Sequence, residues 1–153
     1  MILSRNFISD YTTLNISTDE LANKMLKIGN EYDKKSKMIN ATNLIIGEVL
    51  KCDNHPESNH LHICEVNVGK EILNIICGAS NVKKGVKVIV AQEGAILPEI
   101  TIKKTKILGY ESNGMICSLG ELGIENKYLS EEDINGIHVL DDNAPVGEGP
   151  IKY

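Results

Sequence analysis

Residues able to bind a metal or move a proton crowd into one stretch of the chain: Cys52, His55, His60, His62 and Cys64. Alternate side chains of a strand share a face, so His60, His62 and Cys64 would point together, as the ligands of a zinc ion must. Zinc sites, however, pair their ligands across tight turns, and nothing later in the chain offers a second pair. Structural or surface histidines are therefore the expectation, with no metal ligands assigned. Nucleophilic catalysis fares no better. Any Ser-His-Asp or Cys-His combination can be drawn, and no nucleophile sits in a diagnostic local motif. Gly78-Ala79-Ser80-Asn81 lacks the glycine pattern and the lysine of a phosphate-cradling loop. No catalytic residue is assigned, and no cofactor is expected for this chain.

Lysine is the stronger signal. Lys83, Lys84 and Lys87 flank one loop beside Asn81, and Lys103, Lys104 and Lys106 lie in a run, Ile100 to Leu108, that reads as a strand. A solubilising role is the default for any single lysine. Six of them on two elements that would neighbour each other in a closed barrel, beside loops rich in Asn, Ser and Gly, point to an extended anionic ligand. The stretch Leu108 to Ser118 adds a third piece, a tight turn leading into a short strand through Ser112, Asn113, Gly114 and Met115. These three pieces are expected to form one polar, positively charged rim.

The elements that must carry this rim read as mainly β. The chain has 153 residues, 42% of them hydrophobic, with no Trp and one Phe, so the core must be built from Ile, Val and Leu. From residue 43 onward the pattern predicts strands at Leu44 to Cys52, His60 to Val68, Glu71 to Cys77 after a Gly69-Lys70 turn, Val86 to Ala91, Ile100 to Leu108, Gly114 to Ser118 and Gly136 to Leu140. Leu119 to Ile124 reads as a helical turn. Short strands at regular spacing, punctuated by Gly, Asn and Pro, indicate a small barrel or sandwich. Residues 1–38 differ. Ser17-Thr18-Asp19-Glu20 is a capping box, Leu21, Met25 and Ile28 form an apolar stripe, and Gly29 closes a helix over about 18–28. A shorter turn at Arg5 to Asp10 would face Phe7, Ile8 and Tyr11 inward, and residues 31–40 read as a charged linker.

Charge and cysteine usage bound the partners. The net charge is −5, yet residues 111–153 hold two Lys against nine acids, while residues 40–110 hold eight against seven. A nucleic-acid partner is allowed, and a strong non-specific one is not. Four cysteines, at 52, 64, 77 and 117, show no CxxC spacing, so reduced and mostly buried thiols are expected. No membrane span and no signal peptide is evident, which predicts a cytoplasmic protein.

The series His55-Pro56 with Leu61, Val66-Asn67-Val68-Gly69, Ile76 to Val82 and Gly109 to Ser118 resembles, in order and with fitting gaps, the tRNA-binding domain related to the cytokine EMAP II. That resemblance implies a five-stranded OB-type barrel over residues 39–151, preceded by an N-terminal helical segment at 1–38 and facing tRNA. It departs from the family at Ser58-Asn59-His60, where an Ala-Asp-Lys sequence is usual, so that a titratable group replaces a permanent cation. The opening, Ser4 to Tyr11 followed by the capped helix, looks like the start of the bacterial phenylalanyl-tRNA synthetase β chain. It implies a non-catalytic fragment of a heterotetrameric ligase whose α chain holds the aminoacylation centre and uses ATP and magnesium. Residues 1–38 would then be half of a discontinuous domain. The alternative is a free-standing dimeric tRNA-binding or chaperone-like protein. Either way, the tRNA contacts implied are Asn81, Lys83, Lys84, Lys87, Lys103, Lys104, Lys106, Ser112, Asn113, Gly114 and Met115.

Overall fold

A capping box sets the longest helix of the chain. The structure is a computed structural model that describes residues 3–152, so Met1, Ile2 and Tyr153, at the two ends of the sequence reading, lie outside the described residues. The chain divides into two units, Met1–Lys37 and Met38–Tyr153.

In the first unit, α1 (Arg5–Ser9) is followed by α2 (Thr18–Lys27). The Ser17 hydroxyl accepts from the Glu20 amide at 3.1 Å, and the Glu20 carboxylate accepts from the Ser17 amide at 2.9 Å. That second bond holds the Glu20 carboxyl below its ordinary range. Acids open α2, lysines end it, and Gly29 at φ +87° takes the left-handed turn that follows. Arg5 donates to the Thr18 hydroxyl and Lys35 pairs with Asp19. The inward packing expected of Phe7 and Tyr11 is not found. The two rings lean on each other at a tilt of 59° and remain exposed, and neither helix has a buried residue. The physical reason is size, since a unit below about 40 residues cannot enclose an apolar core unaided. Helices without such packing are marginal in water. The amides of Ala22 and Leu26 are therefore expected to exchange hydrogen much faster than those of Val66 and Ile76; equal protection by native-state exchange would show α2 to be part of one cooperative core.

The second unit is an antiparallel sheet curled almost into a closed barrel. Its strands are β1 (Leu44–Asn54), β2 (His62–Asn67), β3 (Ile72–Cys77), β4 (Lys87–Gln92), β5 (Thr105–Ile107), β6 (Tyr110–Ser112), β7 (Gly114–Ile116) and β8 (Val139–Leu140). Their order in space is β3-β2-β1-β4-β7, with β8 on the other end of β4 and β5 paired to β6 as a separate hairpin. One long strand makes the curl possible. The first half of β1 pairs with β4 and its second half with β2, and the register slips between Val49 and Lys51, leaving Leu50 as the extra residue of a bulge. A bulge bends and twists its strand, so β1 serves both halves of the barrel.

Both faces of β4 are buried, which is why Val88-Ile89-Val90-Ala91 is apolar without alternation. Val88 and Val90 point into the barrel with Val49, Val66, Ile75 and Ile116. Ile89 and Ala91 face a second core made by Ala95, Leu97, Ile102, Cys117, Leu122, Leu140 and Ala144. This second layer corrects the expected strand at Ile100 to Leu108. Ile102 is buried beneath β4, Thr101 only bridges Ile96, and the strand proper is Thr105–Ile107. Lys103 and Lys104 lie in the extended chain between them. Predicted Gly114 to Ser118 shortens to Gly114–Ile116, and Gly136 to Leu140 to Val139–Leu140. A five-residue helix, α3 (Glu131–Asn135), is capped by Ser130 and was not expected. Its signal was present in Ser130 and Asp133, whose hydroxyl and amide repeat the capping arrangement of α2.

Candidate nucleic-acid interface

The closing seam of the barrel is built from the polar turn between β6 and β7. The Asn113 amide donates to the Asn74 carbonyl at 2.8 Å. Ser112 is buried; its hydroxyl accepts from the Ile76 amide at 3.1 Å and donates to the Gly114 carbonyl at 3.1 Å. One side chain thus replaces the backbone partner that β3 lacks on this edge. Gly114 is buried against β4, where a β-carbon would stand 2.9 Å from the Ala91 carbonyl oxygen. Met115 packs on the second core. The hairpin leading into the seam turns at Leu108 and Gly109, both with positive φ, as a two-residue hairpin turn requires.

Asn81 is also committed to the fold. Its amide nitrogen donates to the Ile137 carbonyl at 2.8 Å and its oxygen accepts from the Ile137 amide at 3.0 Å, so it grips an incoming segment as another strand would. Gly136 lies beneath this clamp, with room for no β-carbon. Lys87 is spent too: its ammonium donates to the carbonyls of Asp142 and Ala144.

The six lysines do not form one rim. Lys83 and Lys84 sit with Lys87 at the start of β4, whereas Lys104 pairs with Glu93, just past its end, at 3.4 Å. The two groups are separated by the length of β4, about 16 Å. They part because the lysine run crosses the second core at Ile102 and then joins the β5–β6 hairpin, instead of pairing along the Lys83 loop. Lys104, Thr105, Lys106, Glu111 and Asn113 line a depression of about 260 Å³. A second, also about 260 Å³, shares Lys104 and Asn113 and extends to Asn43, Gln92, Glu71 and Glu93. Lys106 stands opposite Glu111 across the hairpin. The cations lining these depressions are Lys104 and Lys106, with three carboxylates among them, and Lys103 is exposed next in the chain.

Of the histidine and cysteine cluster, His55 and Cys64 are buried, Cys52 and His62 are half-buried and His60 is exposed. His55 is 3% exposed; its Nδ1 accepts from the Glu57 amide at 3.1 Å, and its ring meets the Tyr110 ring edge-on at 4.9 Å. Among the described residues, no three His, Cys, Asp or Glu side chains come together as a metal would need. All four cysteines are free thiols. Burial pushes Cys117 up to about 12 and raises Cys64 and Cys77 as well, so these sulfurs rest as thiols and any attack by them is slow.

Residues 44–148 match the family model described as "Putative tRNA binding domain". The chain belongs to this tRNA-binding domain family. It is also 43% identical, over its full length, to the phenylalanine–tRNA ligase beta subunit of Streptococcus pneumoniae, and 42% identical, again over its full length, to that of Geobacillus kaustophilus. The match lies in the N-terminal region of those proteins, and the chain spans about a fifth of their length, 19% and 20%. Among solved structures, a methionyl-tRNA synthetase related protein from Pyrococcus horikoshii covers 68% of this chain, with 84% of its own length, at 22% identity and a TM-score of 0.48. Several features that mark the family in this sequence, Asn81, Ser112 and Gly114, are the residues that close the barrel and pin its return segment. No helix among the described residues is long and apolar enough to cross a membrane.

Proposed function

We propose that this chain is the N-terminal region of a phenylalanine–tRNA ligase β subunit and serves there as a non-catalytic docking surface for tRNA. One observation favours this over a free-standing binding protein: the likeness to the ligase subunit runs through residues 1–43, ahead of the tRNA-binding domain that starts at 44. In that setting the α subunit is the protein partner, the compartment is the cytoplasm, and ATP and magnesium serve the adenylation centre elsewhere. The described residues offer no carboxylate cluster to hold that magnesium.

The RNA surface is assigned to Lys103, Lys104 and Lys106 around Asn113, with Lys83 and Lys84 as a separate and lesser contact. Ser112 and Gly114 support the Lys104 side from within, and Asn81 and Lys87 hold the return segment beside Lys83 and Lys84. Each phosphate neutralised contributes a slope of about −0.7 for single strands when log affinity is plotted against log salt, so three lysines give about −2. Replacing Lys103, Lys104 and Lys106 together with alanine is expected to flatten the plot by roughly two units, with circular dichroism unchanged because surface substitutions cost little. Replacing Lys83 and Lys84 should flatten it less. A filter-binding titration decides this, and an unchanged slope in the triple variant would remove the surface and leave the domain an architectural role.

A further inference from the structure

Cys52 on β1 and Cys64 on β2 are direct partners in the antiparallel register, and their sulfurs lie 3.8 Å apart. Directly opposed residues of such a ladder have α-carbons about 4.5–5.5 Å apart, inside the range of about 4.4–6.8 Å that a disulfide spans. Closing the gap to a bond of about 2.05 Å asks for side-chain rotation and no movement of the strands. Cys77 and Cys117 are both buried, and Cys77 lies near enough to Cys52 and Cys64 for their charges to be felt. Cys64 is fully buried, whereas Cys52 is half-buried and its thiol rests on the Val82 carbonyl at 3.7 Å. The two thiols therefore differ in access as well as sharing a contact.

We propose that Cys52 and Cys64 form a peroxide-sensitive pair, oxidised to a cross-strand disulfide in the folded barrel. Cys52, the more exposed of the two residues, attacks hydrogen peroxide: an S–O bond forms, the O–O bond breaks, and water leaves. The Cys64 sulfur then attacks the resulting sulfenic acid, forming the S–S bond and breaking S–O, with its own proton carried off on the departing hydroxide as a second water. Two thiols are oxidised by two electrons and one peroxide is reduced, so the step balances. Burial keeps the Cys64 thiol from ionising readily, which confines the first attack to Cys52 and makes the second step the slower one. The bond also takes the Cys52 thiol away from Val82, in the loop that carries Asn81, Lys83 and Lys84.

The test is to treat the chain with hydrogen peroxide at neutral pH, denature it under acid, and count free thiols. The count should fall from four to two, the mass should drop by two hydrogens, and proteolytic peptides should join residue 52 to residue 64. Cys52→Ser and Cys64→Ser should each abolish the link, Cys77→Ser should retain it, and dithiothreitol should restore all four thiols. Four surviving thiols, a Cys64–Cys77 link, or Cys52 driven to its sulfonic acid with Cys64 still reduced would each overturn the proposal.

Discussion

Gly114→Val is expected to unfold a large part of the population or to lower the unfolding free energy by more than about 3 kcal/mol, the upper end of overpacking costs. A β-carbon at this position would stand 2.9 Å from the Ala91 carbonyl oxygen, and that oxygen has nowhere to go. Ala91 is fully buried in β4, paired to Leu44 on one side and Met115 on the other. The side chains of Ile75 and Leu73 close the remaining space at 3.5 and 3.7 Å. Typical domains are stable by only about 5–15 kcal/mol, so the loss is a sizeable fraction. Urea unfolding followed by circular dichroism measures it. Gly149→Ala is the control: a β-carbon there meets nothing within 4 Å, and the expected change is within about 0.5 kcal/mol. A Gly114→Val midpoint equal to that of the parent chain would mean that the β6–β7 seam is loose.

Asn81→Ala is expected to cost about 2–4 kcal/mol, because it strands both an amide and a carbonyl of Ile137 in a site only 4% exposed. The loss should appear as lower stability, with tRNA affinity preserved for the fraction that remains folded. Gly136→Ala should weaken the same clamp from the other side, since its β-carbon would stand 2.5 Å from the Asn81 oxygen. Asn113→Ala makes the contrast. Asn113 holds the fold through its main chain and lines both depressions beside Lys104, so its replacement should leave stability within about 0.5 kcal/mol and weaken RNA binding. Paired unfolding and filter-binding measurements on the two variants separate these roles. Loss of affinity without loss of stability in Asn81→Ala would return that residue to the RNA contacts.

These two asparagines show where sequence reasoning reached and where it stopped. Local chemistry was readable: the Ser17–Glu20 capping box, the Gly69 turn, the β-branched strands and the apolar run of β4 each declare themselves within a few residues, because backbone geometry and neighbouring side chains set them. The ordered signature around Ile76 to Val82 and Gly109 to Ser118 was enough to expect an OB-type barrel of a tRNA-binding family. What polar residues in that signature do is another matter. Asn81 and Ser112 look like ligand contacts in sequence, since an asparagine or serine in a glycine-rich loop carries the same donors and acceptors whether it meets RNA or a stray backbone amide.

The placement of the lysines shows the same limit on a larger scale. Composition alone determined an aliphatic, mainly β protein with an acidic C-terminal third, and the short opening segment determined a capped helix too small to bury its own apolar stripe. Only the tertiary structure decided that Ile102 dives under β4, which carries Lys103, Lys104 and Lys106 to the opposite end of that strand from Lys83 and Lys84. Only the pairing of β1 with β2 decided that Cys52 and Cys64, twelve positions apart, share a sulfur contact. The reason is common to both: the periodicity of a strand tells which face a side chain takes, but which strand lies beside it depends on how the whole sheet closes, and that is settled by contacts between residues far apart in the chain.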